Sequence, residues 1–129
     1  MTTIYLSGAL NSRSELLGYA KQLRLAGHVV TSSWLESSET EADEAALRPE
    51  QLAAVAEMNL RDIVAARIFV GWTTPASRRS GHHVEFGCAL WHTRLIVLIG
   101  PPQNVFHWHA AVERVETWAE ALRVIAEVR

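Results

Sequence analysis

Short apolar runs of strand length alternate along this chain with longer stretches whose apolar residues recur at helical spacing. Thr3–Ser7 is the first such run and Gly8 stops it. Ser12 and Glu15 have the spacing of a capping box, and Leu16, Tyr19, Leu23 and Ala26 keep helical spacing until Gly27. Residues 28–31 predict a second strand. Residues 37–44 are acidic and serine-rich without periodicity, which predicts a plain solvated insertion, with a mobile loop or lid as the alternative. Pro49 opens a predicted helix through residue 65, with Leu52, Val55, Ala56 and Ile63 as its inward stripe. Ile68–Trp72 predicts a third strand, residues 80–92 a helix, and Leu95–Ile99 a fourth strand closed by Gly100, Pro101 and Pro102. Residues 111–115 form a weaker fifth strand. Thr117 and Glu120 repeat the capping-box spacing at the start of a C-terminal helix.

Such alternation predicts one α/β domain over residues 1–129, a flavodoxin/Rossmann-like sandwich with a mostly parallel five-stranded sheet and helices on both faces. Sheets of this kind bind ligands at the carboxyl ends of their strands. That rule draws Ser7, Gly8, Trp72, the loop after it and the start of the 80–92 helix around one crevice.

Composition narrows the partners. Twelve basic against fourteen acidic residues leave a net charge of -2, which excludes a broad footprint for nucleic acid polymers or anionic membranes. The apolar runs are far too short to span a membrane, and the N-terminus lacks the layout of a signal peptide, so a cytoplasmic location is expected. The single cysteine, Cys88, excludes an internal disulfide and lies in an apolar helix pattern, where an inert core thiol is expected.

Ser80-Gly81-His82-His83-Val84-Glu85-Phe86-Gly87 carries the most chemistry. Ser80 and Gly81 are helix-opening residues, and the free amides of a first helical turn bind anions with help from the helix dipole. Arg78 and Arg79 stand beside them as phosphate ligands or as a solvated basic loop. On pattern alone, Glu85 reads first as an exposed helix carboxylate stabilised by the dipole. Asn59 falls on the inward stripe of its helix, so its amide must either bond to backbone or face the crevice. Trp34 and Trp72 lie where either indole can stack on a base, and core or interface packing is expected for Trp91 and Trp118. His107-Trp108-His109 lacks an acidic partner nearby, so structural histidines are expected rather than a metal site.

The run from Asn59 to Val70 and the run from Ser80 to Ala89, with the opening Ile4-Tyr5-Leu6-Ser7-Gly8, resemble the nucleoside 2-deoxyribosyltransferase family and its relatives that hydrolyse nucleoside 5'-monophosphates. The resemblance implies that Glu85 is the catalytic nucleophile. By the same resemblance Ser7 and Gly8 border the ligand, and Arg13 or Ser80 contacts a 5'-phosphate. It further implies a homodimer or larger assembly in which the neighbouring subunit completes each site, a small-molecule nucleoside or nucleotide as ligand, and no cofactor. The family commonly carries aspartates where this chain has Asn59 and Arg67, and its transferases carry further ones where it has Thr74 and Arg79, so Glu85 stands almost alone in the pattern.

A carboxylate beneath an anomeric carbon attacks as the C–N bond breaks, forms a glycosyl-enzyme ester, and yields it to water or another acceptor with net retention. A neutral base must be protonated as it leaves, and His82 and His83 are the nearest candidate donors, histidine being the side chain that titrates near neutrality. A cationic base such as nicotinamide leaves without an acid. A nicotinamide nucleotide hydrolase is therefore an alternative to a nucleotide glycosidase. A catalytically lapsed binding or sensing module and a purely structural oligomer are the competing non-enzymatic classes.

Overall fold

Strand β1 (Thr3–Ser7) lies inside a sheet whose other members are β2 (Val29–Val30), β3 (Ile68–Trp72), β4 (Leu95–Ile99) and β5 (Val112–Val115). Their order is β2-β1-β3-β4-β5, and every pairing is parallel. The computed structural model describes residues 1–37, 41–73, 81–92 and 95–128. Strands β1, β3 and β4 are buried along nearly their whole length because helices cover both of their sides, which is why they read as unbroken apolar runs.

Helices α1 (Arg13–Leu25) and α5 (Trp118–Ala126) share one face of the sheet, where Tyr19 stacks on Trp118 at 3.9 Å. On the opposite face α3 (Pro49–Val64) packs against α4 (Gly81–His92). Strand alternation decides which side chains meet which helices. Phe69 points to α4 and meets Phe86 at 6.1 Å, whereas Trp72, three residues on, points to α5 and meets Trp118 at 5.8 Å. Between β4 and β5 a 3-10 turn, Val105–Trp108, stands where the other crossovers have helices, and its buried His107 packs on Phe86 at 4.6 Å. None of the helices among the described residues is long and apolar enough to cross a membrane.

Three local expectations are corrected. Ser12 and Glu15 form no capping box: a 3-10 turn, Leu10–Ser12, runs directly into α1, and the Ser12 hydroxyl makes no capping bond. Residues 41–45 within and just beyond the expected 37–44 loop form a short helix, α2 (Glu41–Ala45); residues 38–40 lie outside the described residues. The inward stripe of α3 is buried only at Ile63, while Leu52 is 39% exposed and Val55, Ala56 and Asn59 line an open cavity. That helix is amphipathic toward a hollow rather than toward filled core. By contrast, Thr117 does cap α5, its Oγ1 accepting the Glu120 amide at 3.2 Å while the Glu120 carboxylate accepts the Glu116 amide at 3.3 Å.

Candidate active site

The edge of β1 is finished by side chains. β2 pairs with β1 only as far as Ile4, which leaves the Leu6 amide and carbonyl without a strand partner on that side. Ser32 Oγ accepts the Leu6 amide at 2.6 Å, and Trp34 Nε1 donates to the Leu6 carbonyl at 2.9 Å. The 3-10 turn Ser33–Glu36 is held to α3 as well, because Asp62 accepts the Ser33 amide at 2.9 Å. These bonds fix one wall of a cavity of about 360 Å³ at the carboxyl ends of β1 and β3. Its size is that of a small-molecule site.

Glu85 lies one turn into α4 and lines this cavity. Tyr5 and Ser7 alternate onto the same face of β1 and meet it there: Tyr5 donates its hydroxyl to Oε2 at 2.5 Å and Ser7 donates to Oε1 at 2.8 Å. Tyr5 is itself immobilised, fully buried and stacked on Phe69 at 5.6 Å. Burial pushes the Glu85 carboxyl above its ordinary value, the bonds from Tyr5 and Ser7 pull it back, and the charge of Glu44 adds to the push. Burial and the neighbouring Glu85 charge hold the Tyr5 hydroxyl well above its usual range, so it remains a donor. The site therefore presents a desolvated carboxylate, oriented through both oxygens, at the floor of a mostly apolar hollow. Such a group is a strong nucleophile once a substrate excludes water.

Tyr5→Phe removes the stronger of these two orienting donors. Because that bond lowers the Glu85 value, its loss raises it, and the acidic limb of the pH–rate profile should move to higher pH while kcat falls by about 10- to 100-fold. An unmoved acidic limb would show that Tyr5 serves packing alone.

The fold has known counterparts. It matches the solved 2-deoxyribosyltransferase of Bacillus psychrosaccharolyticus with a TM-score of 0.71 and 20% identity, over 92% of this chain and 89% of that one. It also matches the CMP N-glycosidase of Clostridium botulinum with a TM-score of 0.61 and 17% identity, over 98% of this chain and 99% of that one. This chain shares their α/β fold. Neither a protein-family model nor a curated protein sequence matches it.

On that fold, the residues singled out from sequence divide. Gly8, Asn59, Gly81, His82 and Glu85 line the cavity, and Ser7 bonds Glu85 from below. A Cβ on Gly8 would stand 3.0 Å from Leu16 Cδ1, so that turn is tight as well as close to the site. Asn59 takes the crevice-facing alternative, and its Oδ1 has no hydrogen-bond partner among the described residues. Arg13 begins α1, half-buried, and is not among the described residues lining the cavity. His83 turns away, bonding Asn104 at 3.2 Å and lying 5.7 Å from the His107 ring. Trp72 belongs to the α5 face, where it packs on Trp118. Arg78, Arg79 and Ser80 lie outside the described residues. Cys88 is half-buried, and burial together with the Glu85 charge pushes its thiol up, away from reactivity. Among the described residues no group of three His, Cys, Asp or Glu side chains is placed to hold a metal.

Two residues of the site were not singled out. Tyr5 was legible in principle, since it sits two positions before Ser7 on the same strand face. Glu44 was hidden in an acidic, aperiodic segment, where nothing separates it from its neighbours; α2 brings it to the cavity lining.

The paired histidines have a consequence for stability. Burial lowers His107, with help from His83 and His82, and burial followed by His82 lowers His83, so both prefer to be neutral in the fold. A depressed folded value means stability that is full above the ordinary 6.5 and lost as pH falls below it. Thermal melts should show a histidine contribution to stability that drops between pH 7 and pH 5, with a limiting slope of about 1.4 kcal/mol per pH unit per proton, set against the opposite contribution of the raised Glu85 carboxyl. His107→Gln should flatten this slope, and an unchanged slope would place the titration elsewhere.

Proposed function

We propose that this chain is an N-glycosidase or N-glycosyltransferase that breaks the base–sugar bond of a nucleoside or nucleoside 5'-monophosphate, with Glu85 as nucleophile. The observation that carries the proposal is the Glu85 carboxylate, bonded through both oxygens to Tyr5 and Ser7 at the floor of the cavity. The shared fold of a 2-deoxyribosyltransferase and a CMP N-glycosidase supports the same reading. A sugar seated with its anomeric carbon over Glu85 places its base among Val55, Ala56, Met58, Leu60 and Trp34, and the start of α4 at Gly81 suits an anionic substituent. Attack by one Glu85 oxygen forms the ester bond to the anomeric carbon as the C–N pair leaves with the base. Water or an acceptor base then displaces Glu85.

A cationic leaving group such as nicotinamide is the second reading. It is favoured by a cavity lined by two carboxylates and, among the described residues, by no Lys or Arg. A second copy of the chain is the proposed partner: Leu60 and Val64 on α3 and Val84 and Trp91 on α4 are 40%, 52%, 65% and 87% exposed, on two helices packed side by side. The deciding experiment is chromatographic measurement of base release from a panel of nucleosides, their 5'-monophosphates and nicotinamide mononucleotide. Release from one class names the substrate. Binding of these compounds without release, with or without an acceptor base, would leave a nucleotide-binding module instead.

A further inference from the structure

A glycosidase that acts on ordinary bases must protonate the base as it departs, and the aspartates that the sequence resemblance leads one to expect are absent from this chain. The cavity nevertheless holds a second carboxylate. Glu44, carried by α2, lines it together with Trp34 and Ser37 on one side and Val55, Met58, Asn59 and Leu60 of α3 on another. Glu85 is held from below by β1. An anomeric carbon over Glu85 therefore leaves the apolar walls for the base, where Ser37, Glu44 and Asn59 can meet a base edge by hydrogen bonding and Glu44 is the one of these three that can give and take back a proton. The Glu44 charge is one of the influences that raise Glu85, which sets the two carboxylates within electrostatic reach across the cavity.

We infer that Glu44 is the general acid for the leaving base and the general base for the incoming water, an assignment that rests on the glycosidase reading above. In the first step the Glu44 carboxylic acid gives its proton to a base nitrogen, the C–N bonding pair passes to the base, and the Glu85 carboxylate bonds the anomeric carbon. In the second step water bonds that carbon, the ester pair returns to Glu85, and the water proton passes to Glu44, which restores both groups. His82, beside Gly81 at the start of α4, is left to the sugar and its substituents.

The test compares guanosine 5'-monophosphate with 7-methylguanosine 5'-monophosphate, whose cationic base departs without a proton. Glu44→Gln should lower kcat/KM, which reports the bond-breaking step alone, on the unmethylated nucleotide by about 10²- to 10⁴-fold and on the methylated one by less than about threefold. The alkaline limb of the wild-type pH–rate profile should appear with the first substrate and be missing with the second. Glu44→Asp should recover part of the activity. Equal losses on the two nucleotides, or no loss on either, overturn the assignment of Glu44 alone. No base release by the wild-type protein from either nucleotide overturns the glycosidase reading beneath it, and release that survives Glu85→Gln overturns Glu85 as its nucleophile.

Discussion

Glu85→Gln should abolish base release, by at least about 10³-fold in kcat, and at the same time raise the melting temperature at neutral pH. The two effects have one cause. The carboxylate is held in a site that burial makes unfavourable for charge, and the bonds from Tyr5 and Ser7 offset that only in part, so its folded value stands above the ordinary 4.5. A raised carboxyl binds a proton more readily when folded than when unfolded, so its charge weakens the fold at high pH and stops doing so as pH falls toward 4.5. The stability gained by the glutamine variant should accordingly be greatest at neutral pH and vanish in acid. Glutamine is the right probe because it can still hydrogen-bond both hydroxyls. Alanine would leave buried polar groups unpartnered, at a cost of about 1 to 3 kcal/mol that would hide the gain. Full activity in the glutamine variant would end the role of Glu85 as nucleophile. An unchanged melting temperature would mean that the site stores no charge strain.

What the sequence made legible follows the local nature of each signal. Parallel strands buried on both sides appear as apolar runs, so Thr3–Ser7, Ile68–Trp72 and Leu95–Ile99 are visible to the residue. The Thr117 cap is visible for the same reason, since its partners lie within one helical turn. Ser12 deceives because the same spacing carries no information about the 3-10 turn that precedes it. The α3 stripe deceives differently: periodicity reports which residues share a side of a helix, and cannot tell whether that side meets core or a cavity. Glu85 was visible through the residues around it, yet its partners were not, because Tyr5 and Ser7 are 80 and 78 positions away in the chain. Trp72 illustrates the converse. The carboxyl end of β3 is at the crevice, but one residue of alternation decides the face, and it sends the indole to Trp118.

Phe69 is where fold and site depend on the same atoms. Its ring is 1% exposed, stacks on Tyr5 at 5.6 Å and meets Phe86 edge-on at 6.1 Å. Phe86 is the immediate neighbour of Glu85 on α4, so one ring positions both the donor and the helix that carries the acceptor. Phe69→Ala should cost about 3 to 5 kcal/mol and lower the melting temperature by about 10 to 20 °C, through lost burial and an unfilled cavity. For a domain of ordinary stability that is a large share of the whole. Phe69→Leu separates the two roles, since it keeps most of the volume and should cost less than about 2 kcal/mol while removing the surface on which Tyr5 stacks. Its kcat should therefore fall further than its stability, and its acidic pH limb should shift in the direction expected for Tyr5→Phe. If Phe69→Leu keeps full activity, the Tyr5 hydroxyl is placed by its bond to Glu85 and not by the ring beneath it, and the coupling between core and site ends at Tyr5.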